Sequence, residues 1–203
     1  MLKLKSSEVT IWFTSDLHLN HSKIIEYCNR PFSNVEEMNE TIIGNWNKVV
    51  SPEDVVFCLG DIALGGSGAW NTLIPQLNGK IHLVLGNHDI RNWRESYKKL
   101  FESVTEQLTV EIDKKTFILT HFPLLCYHGT WGSEQNCWNL FGHIHTLKEG
   151  NIGKDFERLK NLFPTQYDVG VDLNDYTPMH IEQVRNKIKY QIENNTNLLC
   201  WVK

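Results

Sequence analysis

Three times before residue 90 the chain repeats one construction, a short apolar run that reads as a strand and stops in a turn of acids, histidines and glycine. Val9-Thr10-Ile11-Trp12-Phe13-Thr14 alternates so that Val9, Ile11 and Phe13 share a face, and it runs straight into Ser15-Asp16-Leu17-His18. Val55 to Leu59 leads into Gly60-Asp61, and Ile81 to Leu85 leads into Gly86-Asn87-His88-Asp89. Loops at the carboxyl ends of strands in an open α/β sheet meet in one crevice, so the repetition calls for a fold that gathers these turns on one side. Between the first two strands, Ser33-Asn34-Val35-Glu36 has the pattern of a capping box. Val35, Met38, Ile42, Trp46 and Val49 follow at helical steps until Ser51-Pro52 stops them.

The second half adds strands. Leu108 to Ile112 and Phe117 to Thr120 flank the turn Asp113-Lys114-Lys115 and read as a hairpin whose second arm ends at His121. Trp138 to Phe141 ends at Gly142-His143-Ile144-His145, and Tyr167 to Val171 is a further short strand. Trp93 to Phe101 reads as a helix with Asp89 as an acid ahead of it, and Ile181, Val184, Ile188 and Ile192 give a C-terminal amphipathic helix. The class is α/β, with a mixed sheet or two packed sheets and helices outside. The stretches around 122–137 and 146–166 are long, polar and Gly-containing, the places for a substrate rim or lid.

With 203 residues, 41% of them hydrophobic, and no repeat or linker, residues 1–203 read as one domain with an adequate core. A net charge of -4 argues against a broad grip on nucleic acid or an anionic membrane. Cys28, Cys58, Cys126, Cys137 and Cys200 are odd in number, scattered and in no CxxC pair, which points to reduced thiols. With no signal-like or membrane-length apolar run, a cytoplasmic location is expected.

Five of the nine histidines, His18, His88, His121, His143 and His145, lie just after predicted strands, beside Asp16, Asp61, Asn87 and Asp89. His82, His128 and His180 stand apart and read as structural or surface residues. Imidazole and carboxylate without thiolate suit Mn²⁺, Fe²⁺, Zn²⁺ or Ni²⁺. Seven ligands exceed what one ion uses, whereas two ions sharing a carboxylate employ them all and clamp the attacking and leaving oxygens of a phosphoester. Phosphoryl hydrolysis follows from the residues themselves.

Asp16-x-His18, Gly60-Asp61, Gly86-Asn87-His88-Asp89, His121 and Gly142-His143-x-His145, in that order, resemble the five motifs of the calcineurin-like metallophosphoesterases. Cys28-Asn29-Arg30-Pro31-Phe32 and Asp168-Val169-Gly170-Val171-Asp172 are further similar to short members from bacteria and phages. The resemblance implies a four-layer α/β/β/α sandwich. It also implies that Asp16, His18, Asp61 and His145 hold one metal and Asp61, Asn87, His121 and His143 the other, with Asp61 bridging. The cofactors are then two divalent ions, Mn²⁺ first, with Fe, Zn, Ni or Mg as alternatives. A hydroxide between them attacks phosphorus in line. His88 stabilises the phosphoryl oxygens and protonates the leaving oxygen, and Asp89 orients His88.

One departure bears on substrate. Protein phosphatases of this superfamily follow Gly-Asp with an Asp-Arg-Gly triplet that supplies a phosphate-binding arginine, whereas here Gly60-Asp61 continues Ile62-Ala63-Leu64-Gly65-Gly66. The loss favours a monoanionic phosphodiester, small or nucleotide-derived, over a dianionic monoester. His21, Arg30 and Arg91 are candidates for reaching the substrate, and either arginine replaces the clamp if it swings in. Trp131 and Trp138 read as packing residues, with a base-stacking platform as the alternative. A phosphomonoesterase, a nuclease and a nucleotide pyrophosphohydrolase are the enzymatic rivals; a metal-binding scaffold like the one in the retromer coat is the non-enzymatic one. Extended nucleic acid and membranes are not expected partners, and a monomer or homodimer is expected.

Overall fold

The computed structural model describes residues 1–129, 136–147 and 159–202. Two five-stranded sheets face each other. In one, β2 (Ile11–Thr14), β3 (Val55–Cys58), β4 (Lys80–Val84) and β5 (Ser103–Thr105) run parallel in that order, and β10 (Met179–His180) pairs antiparallel outside β2. The other has the order β1 (Leu2–Leu4), β6 (Gln107–Ile112), β7 (Lys115–Thr120), β8 (Cys137–Phe141), β9 (Gln166–Asp168). Only its β6–β7 pair is antiparallel. That hairpin closes through Asp113 (φ 50°) and Lys114 (φ 67°), both left-handed, with Ile112 opposite Lys115. The two-residue turn matches strand twist and lets Lys115 and Thr116 join the strand, which starts two residues earlier than their polarity predicts.

Every residue of β3 and of β8 is buried, as strands covered on both faces must be. Phe57 of β3 points between the sheets, where the Phe13 ring stacks on it at 5.4 Å and on Phe117 at 5.9 Å. Val56 and Cys58 point the other way, toward Met38, Ile42 and Trp46 of α2 (Val35–Val49) and Trp70 of α3 (Gly66–Leu73). Each fully buried side chain of this size contributes about 1.5–3 kcal/mol. Ile118 and Cys137, on the outer face of the second sheet, lie under Leu124, Tyr127 and Phe163. The C-terminal helix Ile181–Glu193 puts Ile181, Val184 and Ile188 into the inter-sheet core and touches β2, β9 and β10. The result is the expected sandwich of two packed sheets with helices outside.

The N-cap of α2 is Asn34, whose side chain accepts from the Glu37 N–H while Glu37 accepts from the Ser33 N–H, one residue later than the Ser33/Glu36 pattern. That phase puts Met38, Ile42 and Trp46 inward. No α-helix spans Trp93 to Phe101. α4 (Asn87–Asn92) starts at once after β4, because the Asp89 carboxylate accepts from the Gly86 N–H, and it ends where Trp93 turns extended. Glu95–Leu100 then form tight 3₁₀ turns that seat Tyr97 against Trp70, with ring centroids 4.7 Å apart.

The carboxyl ends of β2, β3, β4, β7, β8 and β9 converge. Val171 N–H donates to Ser15 O at 3.0 Å, tying the sheets together there, and Asp16 N–H donates to Gly60 O at 2.9 Å.

Candidate metal centre

Of the seven ligand candidates, Asp16 (φ 58°), His18 (φ 53°), Asp61 (φ 53°), His143 (φ 72°) and His145 (φ 50°) sit in the left-handed region. For residues with a Cβ this conformation costs about 1 kcal/mol or more each, and such strain concentrates at functional sites. It turns each side chain sharply off the end of its strand into a shared space. Gly60 (φ 99°) and Gly142 stand behind these turns; a Cβ on Gly60 meets the Gly86 backbone and the His121 ring, and one on Gly142 meets Ser15 and the Asp16 carboxylate.

Asp61 is central. Its Oδ1 accepts from the His88 N–H at 2.8 Å, and its Oδ2 lies 3.5 Å from His18 Nε2, 3.5 Å from His121 Nε2 and 4.0 Å from His88 Nε2. Asp16 Oδ2 accepts from the His143 N–H at 2.8 Å, leaving Oδ1 to face His18 Nε2 at 3.8 Å and His145 Nε2 at 3.7 Å. His121 Nε2 is also 3.1 Å from Asn87 Oδ1. Among the described residues, four groups have one ligand atom from each member within 4.8 Å of one another: Asp16, His18 and His145; Asp61, His121 and His143; His18, Asp61 and His88; and Cys28, His145 and Asp172.

An outer layer aims these groups. The second ring nitrogen of His121 lies 2.7 Å from Leu59 O, and that of His145 lies 2.7 Å from Asp172 Oδ2. Both contacts fix the ring so that Nε2 faces inward, as second-layer partners of metal-ligating histidines do. Arg30 donates to both oxygens of Asp172 and to the carbonyls of Asp16 and Leu17. Asp89 accepts from the backbone N–H groups of Asp61, Ile62 and Gly86. Asp168, fully buried, accepts from Thr146 and Gly170 N–H.

The charges reflect this crowding. Burial opposes a proton on His121, but the hydrogen bond to Asp61 and the charges of Asp16 and Asp61 outweigh it and push its pKa up to about 9. His145 is likewise held well above the usual histidine range, the charge of Asp16 and the bond to Asp172 overcoming burial. His18 is driven well below it by burial and by the nearby His145 and Arg30. Burial raises the Asp89 carboxyl to about 7 against the pull of its backbone donors.

The structure therefore brings Asp16, His18, Asp61, Asn87, His121, His143, His145 and His88 together. His21 joins them at the rim, with Nδ1 3.0 Å from His18 Nδ1 and its ring 5.5 Å from that of His88. Arg30 does not reach substrate: it is 3% exposed and fully engaged with Asp172 and two carbonyls. Arg91 is exposed on α4. Asp89 does not orient the His88 ring, because its carboxylate is spent on the Asp61, Ile62 and Gly86 backbone; it positions the Asp61 turn. Trp138 is core, 4% exposed beside Phe117, and Trp131 lies outside the described residues. His82 bonds Ser103, His180 caps the C-terminal helix, and His128 is exposed. Asp168, the last residue of β9, and Asp172, four residues on, make contacts behind the site that the sequence did not assign, although both sit at a strand end, as the ligands do.

Asp16 Oδ1 and His18 Nε2 are buried with no hydrogen-bond partner. Such groups are expensive to leave unsatisfied, and two of them aimed at the same space fit a bound cation. The imidazole–carboxylate donor set fits a first-row divalent metal.

Two facing sheets with helices outside and this His/Asp cluster at the strand ends are the architecture of the metal-dependent phosphoester hydrolases, and the match to their family bears this out. The sequence model of the calcineurin-like phosphoesterases matches residues 9–192, and the chain belongs to that family. An uncharacterised protein of Methanocaldococcus jannaschii is 40% identical over 176 residues, 86% of this chain and 88% of that one. The gene 66 protein of Mycobacterium phage D29 is 31% identical over 197 residues, 88% of this chain and 95% of that one. The crystal structure of a protein of unknown function from Aquifex aeolicus matches with a TM-score of 0.67 at 26% identity, covering 88% of this chain and 98% of that one.

Proposed function

We propose that the chain acts as one catalytic domain, a dinuclear metal-dependent phosphodiesterase for a small or nucleotide-derived diester. The observation that carries the two-ion site is the placement of Asp61 Oδ2 between His18 and His121, each 3.5 Å away and each in a different ligand group. Asp16, His18, Asp61 and His145 would hold one ion, and Asp61, Asn87, His121 and His143 the other, with Mn²⁺ the first choice. Ions bound there would supply charge neutralisation at the phosphoryl group and an acidified water. His88, with 30% of its side chain exposed beside Asp61, stabilises the phosphoryl oxygens and protonates the leaving oxygen. Asn87 adds a neutral ligand and keeps the site positive.

Diester preference is supported by the commitment of Arg30 to Asp172, which leaves no arginine clamp from that loop. The test is hydrolysis of bis-(p-nitrophenyl) phosphate against p-nitrophenyl phosphate under Mn²⁺. The expected kcat/KM ratio is at least about tenfold, or about 1.4 kcal/mol, toward the diester. A monoester preference abolished by Arg91→Ala makes the enzyme a phosphatase with a relocated clamp. The cytoplasmic assignment fits the five cysteines, none of them in a disulfide. No helix among the described residues is long and apolar enough to cross a membrane.

A further inference from the structure

An apolar groove opens beside the metal cluster, and nothing in the chemistry above uses it. Its volume is about 370 Å³, within the roughly 300–1,000 Å³ of small-molecule sites. His143 forms one wall; Phe122, Pro123, Leu125, Ile144 and Leu162 form most of the rest. One residue thus belongs both to a ligand group and to the groove, so a substituent on a phosphorus held near His143 enters it directly. Phe122 is 46% exposed and Leu125 80% exposed. Large apolar side chains left open beside a reactive cluster mark a binding surface.

The groove is built in advance. Thr120 Oγ1 donates to Phe122 O at 2.8 Å and Gln166 Nε2 donates to Leu124 O at 2.9 Å, pinning the segment that follows His121. The Phe122 ring stands edge-on to His143, with centroids 4.5 Å apart at 64°, which fixes its plane. A pre-formed wall loses little entropy on binding. Among the described residues, no Lys, Arg, Asp or Glu lines the groove. The described lining thus holds no counter-charge for a second phosphate.

We propose that this groove is a substrate subsite for an uncharged flat ring, an aryl group or nucleobase, carried on the phosphodiester, with Phe122 as the aromatic wall. The assignment deepens the phosphodiesterase reading and rests on it for the position of the phosphorus.

The test uses three p-nitrophenyl diesters that share one leaving group and carry methyl, phenyl or octyl on the other oxygen, with the Mn²⁺-loaded protein. The phenyl ester should exceed the methyl ester in kcat/KM by at least about tenfold. That ratio should fall to within about twofold in Phe122→Ala and in Leu125→Asp, the latter at an exposed position that does not threaten folding. Equal phenyl and methyl rates in the parent protein, or an octyl ester tenfold ahead of phenyl, overturns the proposal. Calorimetric binding of phenylphosphonate against methylphosphonate makes the same comparison without turnover. Selective phenylphosphonate binding that Leu125→Asp removes, in a protein that hydrolyses no diester, supports the subsite and overturns the phosphodiesterase reading. Equal binding of the two phosphonates overturns the subsite.

Discussion

Arg30 grips Asp172 from 142 positions away in sequence, Nε to Oδ1 at 2.8 Å and Nη2 to Oδ2 at 2.9 Å, and Asp172 Oδ2 in turn lies 2.7 Å from His145 Nδ1. This buried chain ends on a ligand candidate. Arg30→Met leaves the buried Asp172 with His145 as its one remaining charged partner in this chain of contacts, so stability should fall, by up to about 3–5 kcal/mol. Metal occupancy at the His145 side should weaken with it. Thermal melts with and without Mn²⁺ check this; a variant with parental stability and only a raised KM would return Arg30 to substrate binding.

Asp89 serves the same end by another route, since three backbone N–H groups around Asp61 depend on its carboxylate. Asp89→Ala removes the acceptor from buried donors, which costs about 1–3 kcal/mol each when nothing replaces it. The expected result is lower stability and weaker metal binding together. Normal stability with lost turnover would instead place Asp89 in the chemistry.

His88→Ala should keep both ions and lose about 10²–10⁴ in turnover, the range for a missing general acid. The deficit should shrink as the leaving group improves, because a good leaving group departs without a proton. A variant that no longer binds metal makes His88 a ligand, in line with its place beside His18 and Asp61.

Metal uptake should be coupled to protons. Without metal, Asp61 and Asp16 keep His121 protonated up to about pH 9, and Asp16 and Asp172 hold His145 well above the ordinary histidine range. An ion displaces those protons, so about two should be released per chain at pH 7. The sign follows: affinity rises with pH until His121 has lost its proton near pH 9, and falls on acidification. Calorimetric titrations in buffers of differing ionisation enthalpy measure the release, and an enthalpy independent of buffer contradicts it.

Much of the site was legible because its ligands sit at strand ends, where an apolar run breaks into Asp, Asn and His. The outer layer was not. Arg30 looked like a free cation because its partner is far along the chain, and Asp89 looked like a partner for its neighbour His88 because adjacency in sequence says nothing of where a carboxylate turns. The helix expected over Trp93 to Phe101 failed for a related reason: Asp89 nucleates α4 at Asn87, and the burial of Tyr97 against Trp70 then selects tighter turns. The Asn34 cap shows a local contest between adjacent good cappers, decided by which phase buries Trp46.

Whether two ions share Asp61 is decided by the metal-to-protein ratio after Mn²⁺ loading and desalting, measured by elemental analysis beside diester turnover. The parent chain should approach two ions, and Asp61→Ala should lose both together with activity. A single tightly held ion with full turnover, or an Asp61→Ala protein that keeps both, contradicts it.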